Sequence, residues 1–317
     1  MFKLPHPPSP KDKAHSIADF AELLAWDKGF TSLREIAATL GRIDDNDENL
    51  GINDNEVKTA EFLEEVVSEI ESRAQSCRIG YPFELRPKGN VLHHLAKEKN
   101  HRSDLYRYLL LSTRLNMNDY RIISGIDGSL LLEDISAAVL RYYLGNYLGQ
   151  NKREEGRARA IVFGTAALGR FDDKVASLCV QLSEGGAFVN RDSAPVTEKD
   201  DSLDVVAWIP FSDGRVSQLI VFSQCKTGTS WEDHLSELQP DVFIRCWMRD
   251  SFAVPPTRAF CVAEAVDRTR WNKTCTKAGI FFDRCRLIDF CEGLEPKLLA
   301  RIRRWTTAAK GTFSFKA

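Results

Sequence analysis

The chain has 317 residues, of which 43% are hydrophobic and 28% charged, and a formal net charge of -2 at pH 7. That is enough apolar material for a core, so global disorder is excluded, and the length allows one large domain or two ordinary ones. No apolar run reaches the roughly 18 residues of a membrane span, and the opening MFKLPHPPSPKDK lacks the apolar stretch of a secretory signal; a cytoplasmic protein with no membrane partner is expected.

In chain order, the first dozen residues are rich in Pro and Lys and are expected to be disordered. Apolar spacing predicts a helix over His15–Trp26, and Thr31-Ser32-Leu-Arg-Glu35 reads as a capping box before a second helix ending near Gly41. SLREIAATLG looks like a piece of a helix-turn-helix, but the following RIDDNDENLGINDNE is strongly acidic, and like-charge repulsion would keep it out of a DNA groove. Val57–Arg73 is amphipathic at helical period, YPFELRPKGNVLHHL reads as a hairpin, and helices follow over Asp104–Leu115 and Leu131–Leu148. His93 and His94 are adjacent and point to opposite sides of a strand, a poor metal pair. Residues 1–150 thus read as a mostly helical accessory, partner or sensing domain without chemistry of its own, and the polar stretch 149–157 as a linker.

The second half, 151–317, changes character. The pattern predicts a helix at Phe171–Leu182, a short strand at AFVN, two strong strands in SLDVVAWIPF and VSQLIVFSQCK around an SDGR turn, and a helix beginning at Trp231–Leu238. A strand in RAFCVAEA, a helix in TRWNKTCTKAG, a strand in IFFDRCRLIDF and a closing helix at Pro296–Trp305 complete it. The expected class is α/β (α+β), with helices around a mixed sheet. The eight cysteines include no pair separated by only two residues, so they read as small buried hydrophobes rather than zinc ligands. Residues 241–317 carry 15 Lys and Arg against 8 Asp and Glu, a basic balance that suits a polyanion partner or a solvated surface.

Chemistry gathers on the hairpin of the second half. With its turn near Gly214, residues whose numbers sum to 428 face each other, which sets Asp204 opposite Gln224. Gln224 and Lys226 share a face and Cys225 takes the other, so Asp204, Gln224 and Lys226 converge at the end away from the turn. Polar groups at the ends of apolar strands are costly to bury and mark where a cleft opens.

LDVVAW…FSQCKTGTSW resembles the PD-(D/E)XK nuclease superfamily in its variant with Gln in the second motif, and residues 160–292 are similar to its restriction-endonuclease-like core in element order, helix, strand hairpin, helix, strand. The QCKTGTSW loop and helical first half also resemble nuclease effectors of bacterial anti-phage defence. The resemblance implies a Mg-dependent endonuclease acting on DNA, with a homo-oligomer or a defence partner docking through residues 1–150; Asp204 would hold Mg²⁺ or Mn²⁺, Gln224 would offer its carbonyl oxygen to the metal or its amide to a water, and Lys226 would orient or activate the attacking water and stabilise the developing charge. It also implies an extra metal-binding acid on the helix before the hairpin, for which Glu184 is the first choice and Asp173 the second, with Glu198, Asp200 and Asp201 able to swing in. Arg268, Arg270 and Lys273 flank the late helix as candidate phosphate contacts. Gln carries no charge, so a binding-only or scaffold subunit on the same fold is a second reading, and an RNA nuclease a third. FGTAALG lacks the Gly-Lys-Ser/Thr ending of a phosphate loop, His234 reads as a satisfied helix histidine, and Trp231 and Trp271 read first as core and second as base-stacking residues.

Overall fold

A computed structural model describes residues 2–40, 52–86, 90–96, 100–145, 157–313 and 315, the side chains of 52–59 excepted. The expected linker at 149–157 lies outside them apart from Arg157, as do residues 42–51 of the acidic stretch. In chain order the elements are α1 (Ala14–Lys28), β1 (Phe30–Ser32), α2 (Leu33–Thr39), α3 (Ile52–Cys77), β2 (Phe83–Arg86), β3 (Val91–His94), α4 (His101–Arg114), α5 (Met117–Tyr120), β4 (Ile122–Ile123), β5 (Ile126–Asp127) and α6 (Gly128–Tyr143). There follow β6 (Arg159–Val162), α7 (Phe171–Leu182), β7 (Val205–Ile209), β8 (Leu219–Lys226), α8 (Pro240–Trp247), β9 (Thr257–Val262), α9 (Trp271–Ala278), β10 (Ile280–Phe282), α10 (Arg284–Asp289) and α11 (Pro296–Lys310). The protein is a mixed α/β structure built on a five-stranded mixed sheet.

Local chemistry accounts for most of these boundaries. The Ser32 hydroxyl accepts the Glu35 N–H and starts α2, the expected cap. Asp127 caps α6 through the N–H groups of Ser129 and Leu130. The strand expected over Ile280–Phe290 is only β10, because the Asp283 side chain accepts the Arg286 N–H and turns the chain into α10. AFVN forms no strand beyond a single bridge from Phe188 to Met248. The first dozen residues, expected to be disordered, bury Phe2 and Leu4 against the core. Trp231–His234 is one 3-10 turn, and the helix itself begins later, at Pro240.

The sheet order is β10-β9-β8-β7-β6, with β6, β7 and β8 antiparallel and β8, β9 and β10 parallel. Alternation splits its side chains between two layers. Val205, Ala207, Val221 and Cys261 join one core with Leu132 and Ile135 of α6. Val206, Trp208, Ile220 and Phe222 join another with Val175 of α7 and Phe243 of α8. Each buried Val, Leu, Ile or Phe among them stabilises by about 1.5–3 kcal/mol. The first core does not stop near residue 150: it runs from Phe20 and Leu109 through Val205 to Trp305.

A buried charge cluster joins the same elements. The Asp19 carboxylate of α1 accepts hydrogen bonds from Arg73 (2.6 Å), Arg114 (2.7 Å) and Arg284 (2.8 Å). Glu22 accepts from Arg73 (2.9 Å), Tyr81 (2.8 Å) and Tyr106 (2.9 Å), and Glu264, just after β9, from Arg114 (2.9 Å) and Trp231 (2.6 Å). Burial alone would raise the Asp19 pKa, but the guanidiniums of Arg284, Arg114 and Arg73 outweigh it and hold the carboxyl well below its usual range.

Candidate active site

The register of the β7–β8 hairpin is the expected one. Val205 pairs with Ser223 and Ile209 with Leu219, so Asp204, one step before β7, stands opposite Gln224. The backbone fixes Asp204 from both sides: its N–H donates to Ser223 O (3.0 Å), and its carbonyl accepts from Phe163 N (2.7 Å) and Gly164 N (2.9 Å). Its side-chain Oδ2 accepts the Cys225 N–H at 2.7 Å.

A second carboxylate meets it from an unexpected element. Glu133 of α6 is buried, accepting the Thr165 hydroxyl (3.1 Å) and the Ala166 N–H (3.1 Å). Gly164 lies between the two acids: a β-carbon there would stand 2.5 Å from Glu133 Oε2 and 2.8 Å from Asp204 Oδ1. Lys174 of α7 braces this wall, donating to Phe163 O (2.8 Å), Gly164 O (3.2 Å) and Lys199 O (2.6 Å). The acids open on a cleft of about 250 Å³ whose walls also include Asp200, Cys225, Lys226 and Thr227.

Electrostatics mark the pair. Burial pushes the Glu133 carboxyl up to about 7, against the hydrogen bonds from Ala166 and Thr165. Burial, and after it the neighbouring Glu133, pushes Asp204 well above the ordinary carboxylate range, while Lys226 pulls the other way. Two desolvated acids side by side favour a proton or a cation between them. A hard divalent cation that takes oxygen ligands and keeps several waters fits this donor set. Among the described residues, no three His, Cys, Asp or Glu side chains gather as a metal cluster, so protein oxygens of other kinds and water would complete the shell.

Gln224 is fully buried; its amide donates to Glu237 at 2.7 Å, and its carbonyl oxygen is left without a partner among the described residues. Glu237 also lies 3.7 Å from the Lys226 ammonium and 2.6 Å from His234 Nδ1. It therefore ties Gln224, Lys226 and His234 together, a role the sequence reading did not assign.

The acid expected from the helix before the hairpin is corrected. Glu184 follows α7, but its carboxylate accepts Ser217 N (2.9 Å) and Ala253 N (2.9 Å) at the turn end of the hairpin, opposite to Asp204. The reason is direction: the N-terminal turn of α7 lies at the cleft, through Lys174, and the helix runs away from it. Asp173 and Glu198 are exposed, Asp201 accepts the Trp247 indole N–H, and Asp200 alone of the alternatives lines the cleft. Arg268, Arg270 and Lys273 are exposed on the 3-10 turn before α9 and on α9 itself, and none lines the cleft. Trp231 is core, buried against Phe281 and bonded to Glu264. Glu133 has one visible signal in sequence: it shares a face of the largely apolar α6 with Ser129 and Ser136, a polar set where a carboxylate calls for an explanation.

Among the described residues no helix is long and apolar enough to cross a membrane. Comparison with protein-family models, with curated proteins and with solved structures finds no match.

Proposed function

We propose that this chain is a metal-dependent phosphodiesterase that cleaves DNA, with Glu133, Asp204 and Lys226 as its working residues. The observation that carries the reading is the meeting of two buried, pKa-raised carboxylates and a lysine in one cleft at the end of the β7–β8 hairpin. Support also comes from element order: α7, the β7–β8 hairpin, α8 and β9 follow the helix, hairpin, helix, strand succession of the restriction-endonuclease-like core. Glu133 then takes the part expected of an acid on a preceding helix.

In this reading Glu133 and Asp204 would hold a divalent cation, and Gln224, expected as a further ligand, does not line their cleft. When bound, the cation supplies charge relief on the phosphate and acidifies a water. The chain's own residues do the rest. Thr165 and Ala166 fix the Glu133 carboxylate, and the Cys225 N–H fixes Asp204. Lys226 meets the charge that develops on the phosphate oxygens, and Glu237 limits where its ammonium can go. The setting, defence against foreign DNA with residues 1–150 docking a partner, rests on the sequence resemblance alone.

The test is cleavage of plasmid DNA and of a matched RNA with Mg²⁺, Mn²⁺ or EDTA. Wild type is run beside Asp204→Ala, Lys226→Ala and Glu133→Ala. Metal-dependent nicking reduced by at least about 100-fold in every variant is expected; cleavage that survives the substitutions refutes the site. That no third acid clusters with this pair among the described residues favours one second reading, a binding-only subunit. Wild-type DNA binding without cleavage under every metal identifies it.

A further inference from the structure

A second cavity, of about 510 Å³, opens where the end of α3 meets α9 and the start of α10. Its size falls within the roughly 300–1,000 Å³ of small-molecule sites. Three guanidiniums line it, those of Arg78, Arg268 and Arg286, together with Trp271, Asp283 and Asp289. None of these six residues lines the Glu133–Asp204 cleft.

Each cation is set there by a different feature. Arg78 follows α3 with φ +49, a left-handed conformation in which helix ends usually place Gly or Asn. Its guanidinium is exposed and makes no hydrogen bond or ion pair among the described residues. Arg286 lies over the Trp271 ring, 4.6 Å from its centroid, and donates to Phe281 O at 2.8 Å. Among the described residues Arg268 reaches only a long contact with Glu69, 3.8 Å, and it is about half exposed. Of the two acids, Asp283 is buried and committed to capping α10 through the Arg286 N–H at 3.1 Å, whereas Asp289 is exposed. The charge left over is cationic, and it sits beside a guanidinium–indole stack.

We propose that this cavity is a second binding site and that its ligand is a phosphorylated nucleoside, free or as the 5′-terminal nucleotide of a strand. Guanidinium forks at Arg78 and Arg268 suit the phosphate oxygens, and Arg286 on Trp271 offers a flat cationic surface on which a base stacks. Binding here is independent of whether the cleft hydrolyses anything.

The experiment is titration calorimetry on the full chain in EDTA. The probes are adenosine diphosphate, adenosine, and a DNA decamer with either a 5′-phosphate or a 5′-hydroxyl. A Kd on the order of 10–100 μM is expected for the diphosphate, for the phosphorylated decamer or for both. Arg78→Ala and Arg286→Ala are expected to weaken it at least about tenfold, and Lys226→Ala to leave it unchanged. Diphosphate binding identifies a free nucleotide as the ligand; binding of the phosphorylated decamer alone identifies a strand end. Adenosine and the hydroxyl decamer binding as tightly as their phosphorylated counterparts overturns the proposal. So does no binding of any probe up to about 1 mM, or unchanged affinity in Arg78→Ala, whose side chain holds no other described element in place.

Discussion

Glu133→Gln keeps the shape of the side chain and removes its charge. In the unfolded chain the Glu133 carboxyl loses its proton near 4.5, and in the folded protein burial moves that loss to about 7. Between those values the folded state holds more proton than the unfolded one, so stability falls as pH rises through the window and stays lower above it. The difference amounts to about 3 kcal/mol at pH 8. The introduced amide keeps one oxygen for the Ala166 N–H and donates to Thr165, whose hydroxyl is free to reverse. A net gain of about 2–3 kcal/mol is therefore expected at pH 8 and almost none at pH 4.5. Unfolding entropy of roughly 2.1 cal/mol/K per residue makes that a rise in melting temperature of about 3–5 °C. The assay is thermal unfolding in EDTA at both pH values, repeated at pH 8 with about 10 mM Mg²⁺, which should raise the wild type and not the variant. In the same preparation cleavage should fall at least about 100-fold. Equal melting temperatures at pH 8, or an equal gain at both pH values, would refute the assignment of Glu133 as a desolvated acid.

Gly164→Ala puts a methyl group against both acids, and Mg²⁺-dependent cleavage should drop at least about tenfold while the fold persists, read from far-UV circular dichroism. Glu184→Ala strands two backbone N–H groups at the turn end of the hairpin; a loss of about 2–4 kcal/mol in urea unfolding is expected, with cleavage per folded molecule unchanged. Asp19→Asn removes the charge that faces three buried guanidiniums and should cost about 3–5 kcal/mol by the same measurement.

Much of the cleft was legible because it is local. Alternation and a tight turn fix which residues of a hairpin face each other, so Asp204 and Gln224 could be paired from numbering alone. Glu133 was not legible in this way. It lies on a helix that composition assigns to the other half, and only the packing of α6 on β6, β7 and β8 brings it to Asp204. Glu184 failed for the complementary reason: nearness along the chain says nothing about the direction in which α7 runs. Asp19, Glu22, Arg73 and Arg114 look like ordinary polar positions on helices, since a helical pattern cannot show that the partner of Asp19 stands on α10. The strand expected through Asp283 failed on a single capping side chain, which outweighs the β-forming residues before it.

The wiring of the buried cluster also bears on synthesis. Asp19 leaves the ribosome 265 residues ahead of Arg284, which gives it two hydrogen bonds. Until α10 arrives, Asp19 has the guanidiniums of Arg73 and Arg114 but lacks two of its four hydrogen bonds, so the layer formed by α1, α3 and α4 is incomplete on its own. Glu264 and its bond to Arg114 impose the same wait from the sheet side. A chain arrested before α10, or cut in the polar stretch near residue 150, loses the hydrogen bonds from Arg284 to Asp19 and from Arg114 to Glu264, and should be cleared rather than accumulate. If the cleft breaks nucleic acid as proposed, a half-made copy is then a harmless one.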